Sequence, residues 1–209
     1  MTHLRRQPIR AFTLIEILVA LSIFAIVVVV ALAALVKIID ANKKSQTIQD
    51  AVVNMSFTME SMTRELRTGS TYYCRVLAPN TDLAVTSLSS QDVSQCNGVS
   101  GASGNGVGFA FDSNLSGGSC RLIKAYEIVP NPSASGTFLF KKAVQTSCGG
   151  PLSFAPVIEP TSMSIASYYL SISNAAYPLL FVKLDGIAGT KESVKTYFTI
   201  QTAASPRVP

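Results

Sequence analysis

The hydrophobic and polar positions divide the chain into three stretches. From Ala11 to Val36 almost every residue is apolar, and Glu16 is the only charge. About 20 helical residues cross the hydrocarbon layer, so this run predicts a membrane helix. From Val36 to about Thr68 the pattern becomes amphipathic. Ile38, Ala41, Ser45, Ile48, Val52, Met55, Met59, Met62 and Leu66 recur at steps of three and four, which predicts one helical stripe. Methionines also suit an adaptable partner surface, but a core-facing stripe is the commoner meaning of this spacing. Lys43, Lys44, Gln49, Asp50, Glu60 and Arg64 fall on other faces, and Gly69 is placed to cap the helix end. Counted from Phe12 at 1.5 Å per residue, the expected rod is roughly 85 Å long, half of it laid on a sheet.

Beyond Gly69 short β-branched and aromatic runs alternate with turn residues. Strands are predicted at 107–111, 121–129, 137–144, 164–172, 179–184 and 193–202, with a brief extension at 71–77. Asn131-Pro132-Ser133 through Gly136 predicts a hairpin connection, and Ala78–Gly106 reads as a polar surface loop. The fold class is therefore α+β: one long helix packed on an antiparallel β-sheet head.

The net charge of +5 adds little, because Arg5, Arg6 and Arg10 precede the apolar run. Without them the balance is 14 basic against 12 acidic, or +2. No cluster of basic side chains suits a nucleic-acid backbone, so no nucleic acid is predicted for the body of the chain. Cys74, Cys96, Cys120 and Cys148 all follow the apolar run with long gaps, which suits two disulfides in an oxidising compartment better than a zinc site. Three pairings are open; closing the shorter loops would join Cys74 to Cys96 and Cys120 to Cys148. The cysteines set the head outside the membrane, since lysines and arginines flank both ends of the apolar run.

Two ordinary readings of the first segment are strained. A secretory signal would use Ala31-Leu32-Ala33 as its cleavage site, but the apolar run exceeds the usual 7–15 residues. A plain anchor has no use for Glu16, since a carboxylate in the bilayer costs about 2.5–3.5 kcal/mol on insertion scales. Arg10-Ala11-Phe12-Thr13-Leu14-Ile15-Glu16, followed by the apolar helix, resembles the class III leader of type IV prepilins and type II secretion pseudopilins. The resemblance implies a pilin-like fold with a cytoplasmic leader at 1–11, a membrane helix at 12–36, its amphipathic continuation at 37–68 and an extracytoplasmic head at 69–209. It further implies cleavage between Ala11 and Phe12 by a prepilin peptidase and N-methylation of Phe12. Glu16 would then pair with the Phe12 amine of an adjacent subunit. Ala11 stands where glycine is usual, and no proline lies between Pro8 and Pro79.

Softer likenesses point to a minor subunit. Met62-Thr63-Arg64-Glu65-Leu66-Arg67 and the runs Phe181–Gly186 and Thr196–Thr202 resemble minor pilins and minor pseudopilins. The expected partners are other pilin or pseudopilin subunits, and the expected path is a single-pass stay in a bacterial-type cytoplasmic membrane followed by an extracellular or periplasmic filament. The alternative is a filament-tip or membrane-anchored binding module, an adhesin or a DNA-uptake pilin. In that role Tyr72, Tyr73, Tyr168, Tyr169 and Tyr177 would stack on sugars or bases if exposed.

Catalysis is not expected. The single histidine, His3, lies in the leader, which removes histidine-bearing triads and metal sites from the mature chain. The glycines from Gly98 to Gly108 lack the Lys-Ser/Thr of a phosphate-binding loop. Asp112-Ser113-Asn114 begins like a calcium loop, but Ser116 replaces the next ligand and no glutamate follows at the required spacing. No metal or cofactor is implied.

Overall fold

A computed structural model describes residues 12–88, 90–101, 104–113, 121–158, 163–173, 178–189 and 195–206. The chain divides into two compact units, Met1–Lys43 and Lys44–Pro209. Helix α1 (Leu14–Thr68) begins in the first unit and ends in the second.

In the first unit α1 carries the apolar run, and by length and composition it is able to cross a membrane. Its side chains are exposed, with Leu18 at 58% and Phe24 at 65%, so nothing among the described residues covers them. Thr13 starts the helix: its Oγ1 accepts the Glu16 backbone N–H at 3.3 Å, and its carbonyl accepts the Ile17 N–H at 3.3 Å. Thr13-Leu14-Ile15-Glu16 thus has the Thr-x-x-Glu spacing of a capping box, a signal the sequence reading passed over.

In the second unit the end of α1 packs on the head through Ala51, Met55, Thr58, Met59, Met62 and Leu66. The lower half of the predicted stripe is displaced. Val52 is 41% exposed, and Ala51 takes its place. Alternating steps of three and four average 3.5, and against a true 3.6-residue turn such a stripe drifts off the buried face.

The sheet is antiparallel throughout its named pairings, in the order β1-β3-β4-β5-β7-β8-β9. Its strands are β1 (Gly69–Leu77), β2 (Val99–Ser100), β3 (Gly106–Ser113), β4 (Leu122–Pro130), β5 (Phe138–Val144), β6 (Phe154–Pro156), β7 (Met163–Ile172), β8 (Leu180–Ala188) and β9 (Thr196–Ala204). The predicted hairpin joins β4 to β5, closed by the Asn131 N–H on the Thr137 carbonyl at 2.8 Å. Among the described residues β5 pairs with β7 at Phe138 opposite Ile165, while β6 pairs farther along β5, at Lys141–Ala143. One face of the sheet joins the α1 methionines in the larger core, where Tyr126 stacks with Phe109, Phe111 and Phe140 at centroid distances of 5.5, 6.4 and 5.7 Å.

Two expectations are corrected here. Gly69 does not cap α1 but opens β1 opposite Ser113. A Cβ at Gly69 would stand 2.5 Å from the Phe111 ring, so the position demands closeness rather than a left-handed turn. The left-handed residue is Thr71, with φ of 47°, at the bulge between Ser70 and Tyr72. The stretch 78–106 is not simply a surface loop. Leu83 and Val85 pack with Leu77, Ala110, Ile123 and Val129 on the sheet's second face, so all eight residues of β3 are buried. Its few apolar residues carry that packing, which its overall polarity concealed.

A disulfide joins Cys74 on β1 to Cys96 in a 3-10 turn at Ser94–Cys96, and both cysteines are buried. Cys148 is also disulfide-bonded, while Cys120 lies outside the described residues. Replacing Cys74 and Cys96 together with alanine is expected to cost roughly 3 kcal/mol by the loop-closure argument, read as a lower urea midpoint with a steeper slope, since the freed unfolded chain exposes more surface.

Candidate assembly segment and the head it carries

The segment singled out by the sequence begins at Phe12, which is 77% exposed, and Ala11 lies just outside the described residues. Glu16 sits in the first turn of α1, where a carboxylate complements the positive end of the helix dipole. Its surroundings are Leu14, Ile15, Ile17 and Leu18, all more than half exposed. An acid presented within an uncovered apolar surface offers one specific electrostatic contact on an otherwise non-directional face.

In the head the tightest polar arrangement surrounds Glu65, near the end of α1. Its Oε1 accepts from Lys142 Nζ at 2.7 Å and lies 3.2 Å from Lys124 Nζ, and its Oε2 accepts from the Tyr126 hydroxyl at 2.6 Å. The helix is thereby pinned to neighbouring positions of β4 and β5. Burial pushes the Glu65 carboxyl up, but the hydrogen bonds from Lys142 and Tyr126 and the charges of Lys142 and Lys124 outweigh it and hold the group below its ordinary 4.5. A carboxyl depressed in the folded state adds stability above its unfolded value, and that stability is lost as pH falls through the folded value. Urea midpoints are therefore expected to drop below about pH 4.5 more steeply in the parent than in Glu65→Gln; parallel profiles would contradict the assignment.

A second ionic group anchors the 78–88 segment on the other face. Glu127 is fully buried, and its Oε2 accepts the Leu83 N–H at 3.0 Å. Lys141 Nζ lies 3.0 Å from Glu127 Oε1, without hydrogen-bond alignment, and 2.9 Å from Asp82 Oδ1. Burial pushes the Glu127 carboxyl up despite Leu83 and Lys141, whereas the hydrogen bond from Lys141 holds Asp82 down. Neither ionic group was singled out as such in the sequence, since Glu65 lies 77 residues from Lys142 and Asp82 lies 59 from Lys141.

The remaining candidates take structural positions. Tyr72 and Tyr168 are buried, and their hydroxyls donate to the Leu66 and Asn105 carbonyls at 2.5 and 2.8 Å. Tyr73 is half-buried beside the second core, Tyr169 is exposed at 40% and lies edge-on to Phe181, and Tyr177 is outside the described residues. Tyr197, outside that set, is exposed at 76%. Asp112 is buried in β3 and faces Arg121 at 3.9 Å, while Asn114 and Ser116 are outside the described residues. Among the described residues no group of three or more His, Cys, Asp or Glu is placed to hold a metal.

An apolar helix long enough by length and composition to span a bilayer, opening on a Thr-capped turn with one acid, and a helix-on-sheet head of pilin-like α+β architecture fit one class, the type IV pilin-like precursors. Residues 6–32 match the model of the prokaryotic N-terminal methylation motif, which supports that class and implies processing by a prepilin peptidase and assembly with other pilin subunits. No curated protein and no solved structure gives a match.

Proposed function

We propose that the chain is a structural subunit, of minor type, of a type IV pilus or type II secretion pseudopilus. The leader 1–11 is cut between Ala11 and Phe12, and Phe12 is N-methylated. Residues 12–36 hold the precursor in the cytoplasmic membrane with the head outside, and 37–68 continue the helix into the head at 69–209. The filament forms by packing of the apolar helices, with Glu16 pairing to the Phe12 amine of the adjacent subunit. The carrying observation is the methylation motif over 6–32 with its lone acid inside the apolar run. An unpaired carboxylate in a low-dielectric core is strongly disfavoured, so Glu16 selects neighbours that bring a positive amine. The minor-subunit reading draws on the size of the head and the likeness of 62–67, 181–186 and 196–202 to minor pilins and pseudopilins. Co-expression with a prepilin peptidase is expected to shorten the chain by residues 1–11; a chain left uncut would overturn the proposal.

A further inference from the structure

The strand order of the sheet ends on β1 and β9, and the two edges differ. On β1 the Cys74 N–H donates to the Asp92 carbonyl at 2.8 Å, and the Asp92 N–H donates to the Tyr72 carbonyl at 3.0 Å. The Cys74–Cys96 disulfide ties down that cover, and a bulge interrupts β1 itself. Among the described residues β9 has no such cover. Its register with β8 runs unbroken from Thr196 opposite Ala188 to Ala204 opposite Leu180, and the strand carries no charge and no proline. Charge, proline and bulges are the usual means of blunting an open edge.

The main-chain groups that face outward are identified by the register. The Ser173 N–H donates to the Leu179 carbonyl at 3.0 Å, so odd-numbered residues along β8 turn to β7 and even-numbered ones to β9. Opposite the latter, Ile200 and the other even-numbered residues of β9 are paired by β8. Tyr197, Thr199, Gln201 and Ala203 therefore point their N–H and C=O groups away from the sheet. Among the described residues nothing bonds to those groups, and the four side chains are exposed. On the other face Phe198 and Ile200 are only partly buried against the larger core. The Phe198 ring turns back over Gly186, where a Cβ would run into it. The core thus reaches the edge with apolar surface still uncovered.

We infer that β9 accepts an added strand from another polypeptide, with apolar side chains on the face of Phe198 and Ile200 and polar ones on the face of Tyr197 and Gln201. A row of unpaired main-chain groups recognises an extended backbone. Adjacent strands share the two faces of a sheet, so the alternation of β9 is imposed on the strand beside it. A second copy of this chain fits poorly. Antiparallel pairing of two β9 edges reverses one α1 against the other, and parallel pairing sets the two helices on opposite faces. Subunits held in one membrane meet neither condition, so the choice of a different polypeptide rests on the proposed function, whereas the strand addition does not.

The test uses the full chain in detergent micelles and two peptides of one composition, N-acetyl-Thr-Val-Thr-Val-Thr-Val-Thr-amide and its block permutation N-acetyl-Thr-Thr-Thr-Thr-Val-Val-Val-amide. The alternating peptide is expected to bind at least about tenfold more tightly. Its binding is expected to slow hydrogen exchange of the Tyr197, Thr199, Gln201 and Ala203 amides. Gln201→Pro removes an outward N–H without touching the bonds to β8 and abolishes binding, while Gln201→Ala retains it. No binding, equal binding of the two peptides, binding without protection of those amides, or binding that survives Gln201→Pro would each overturn the inference. Protection of the same amides in the peptide-free chain that rises with protein concentration would assign the edge to a second copy, and would overturn it too. The peptide comparison and the exchange on the parent chain decide it even where a variant fails to fold.

Discussion

Replacing Glu16 with alanine is expected to remove the chain from filaments while leaving it in the membrane and still cut before Phe12. The carboxylate lies in the first turn of α1 amid exposed apolar side chains. On the proposed pairing, its removal strands the amine of the neighbouring Phe12 in the assembled core. Breaking a buried ion pair by deleting one partner costs about 3–5 kcal/mol, or on the order of a hundredfold to several thousandfold in association. Glu16→Asp keeps the charge but shortens the reach, so partial incorporation is expected. The measurement is the fraction of chain in sheared filaments relative to the membrane pool. Incorporation of Glu16→Ala at the parent level would remove the pairing role altogether.

Tyr126→Ala is expected to be the most damaging single change in the head. Its ring stacks with three phenylalanines on β3 and β5, and its hydroxyl donates to Glu65 on α1 at 2.6 Å, so one side chain joins helix, core and ion cluster. Burial, with Glu65 beside it, raises the phenol well above its ordinary range, so it remains a donor across physiological pH. Large-to-small loss of an aromatic core residue costs about 3–5 kcal/mol. Tyr126→Phe retains the stacking and removes only the hydroxyl, and Glu65 keeps both lysines, so about 1 kcal/mol is expected. Urea unfolding of the full chain in detergent separates the two. Equal losses from both variants would mean that the hydroxyl, not the stacked ring, carries the stability.

Much of this was legible because it is local. The long apolar helix announces itself by composition, α1 ends at Thr68 close to the end of the stripe, and the head strands lie close to the alternating runs that predict them. What was not legible depends on residues far apart in sequence. Gly69 resembles a helix cap until Phe111 is seen to need the space of a missing Cβ. The 78–106 stretch resembles a solvated loop because Leu83, Val85, Val93 and Cys96 are thinly spread among polar residues, yet each is buried. Lys142 gave no sign of meeting Glu65 across 77 residues, since the pairing is made by strand register. Thr13 is the opposite case, a local cap overshadowed by the acid three residues later.

The most direct test of the account is intact mass and tandem mass spectrometry of the mature chain recovered from its native membrane. A chain beginning at Phe12 with one methyl group on its amine is the predicted result. A chain beginning at Ala34, after Ala31-Leu32-Ala33, or one that retains residues 1–11, would contradict it.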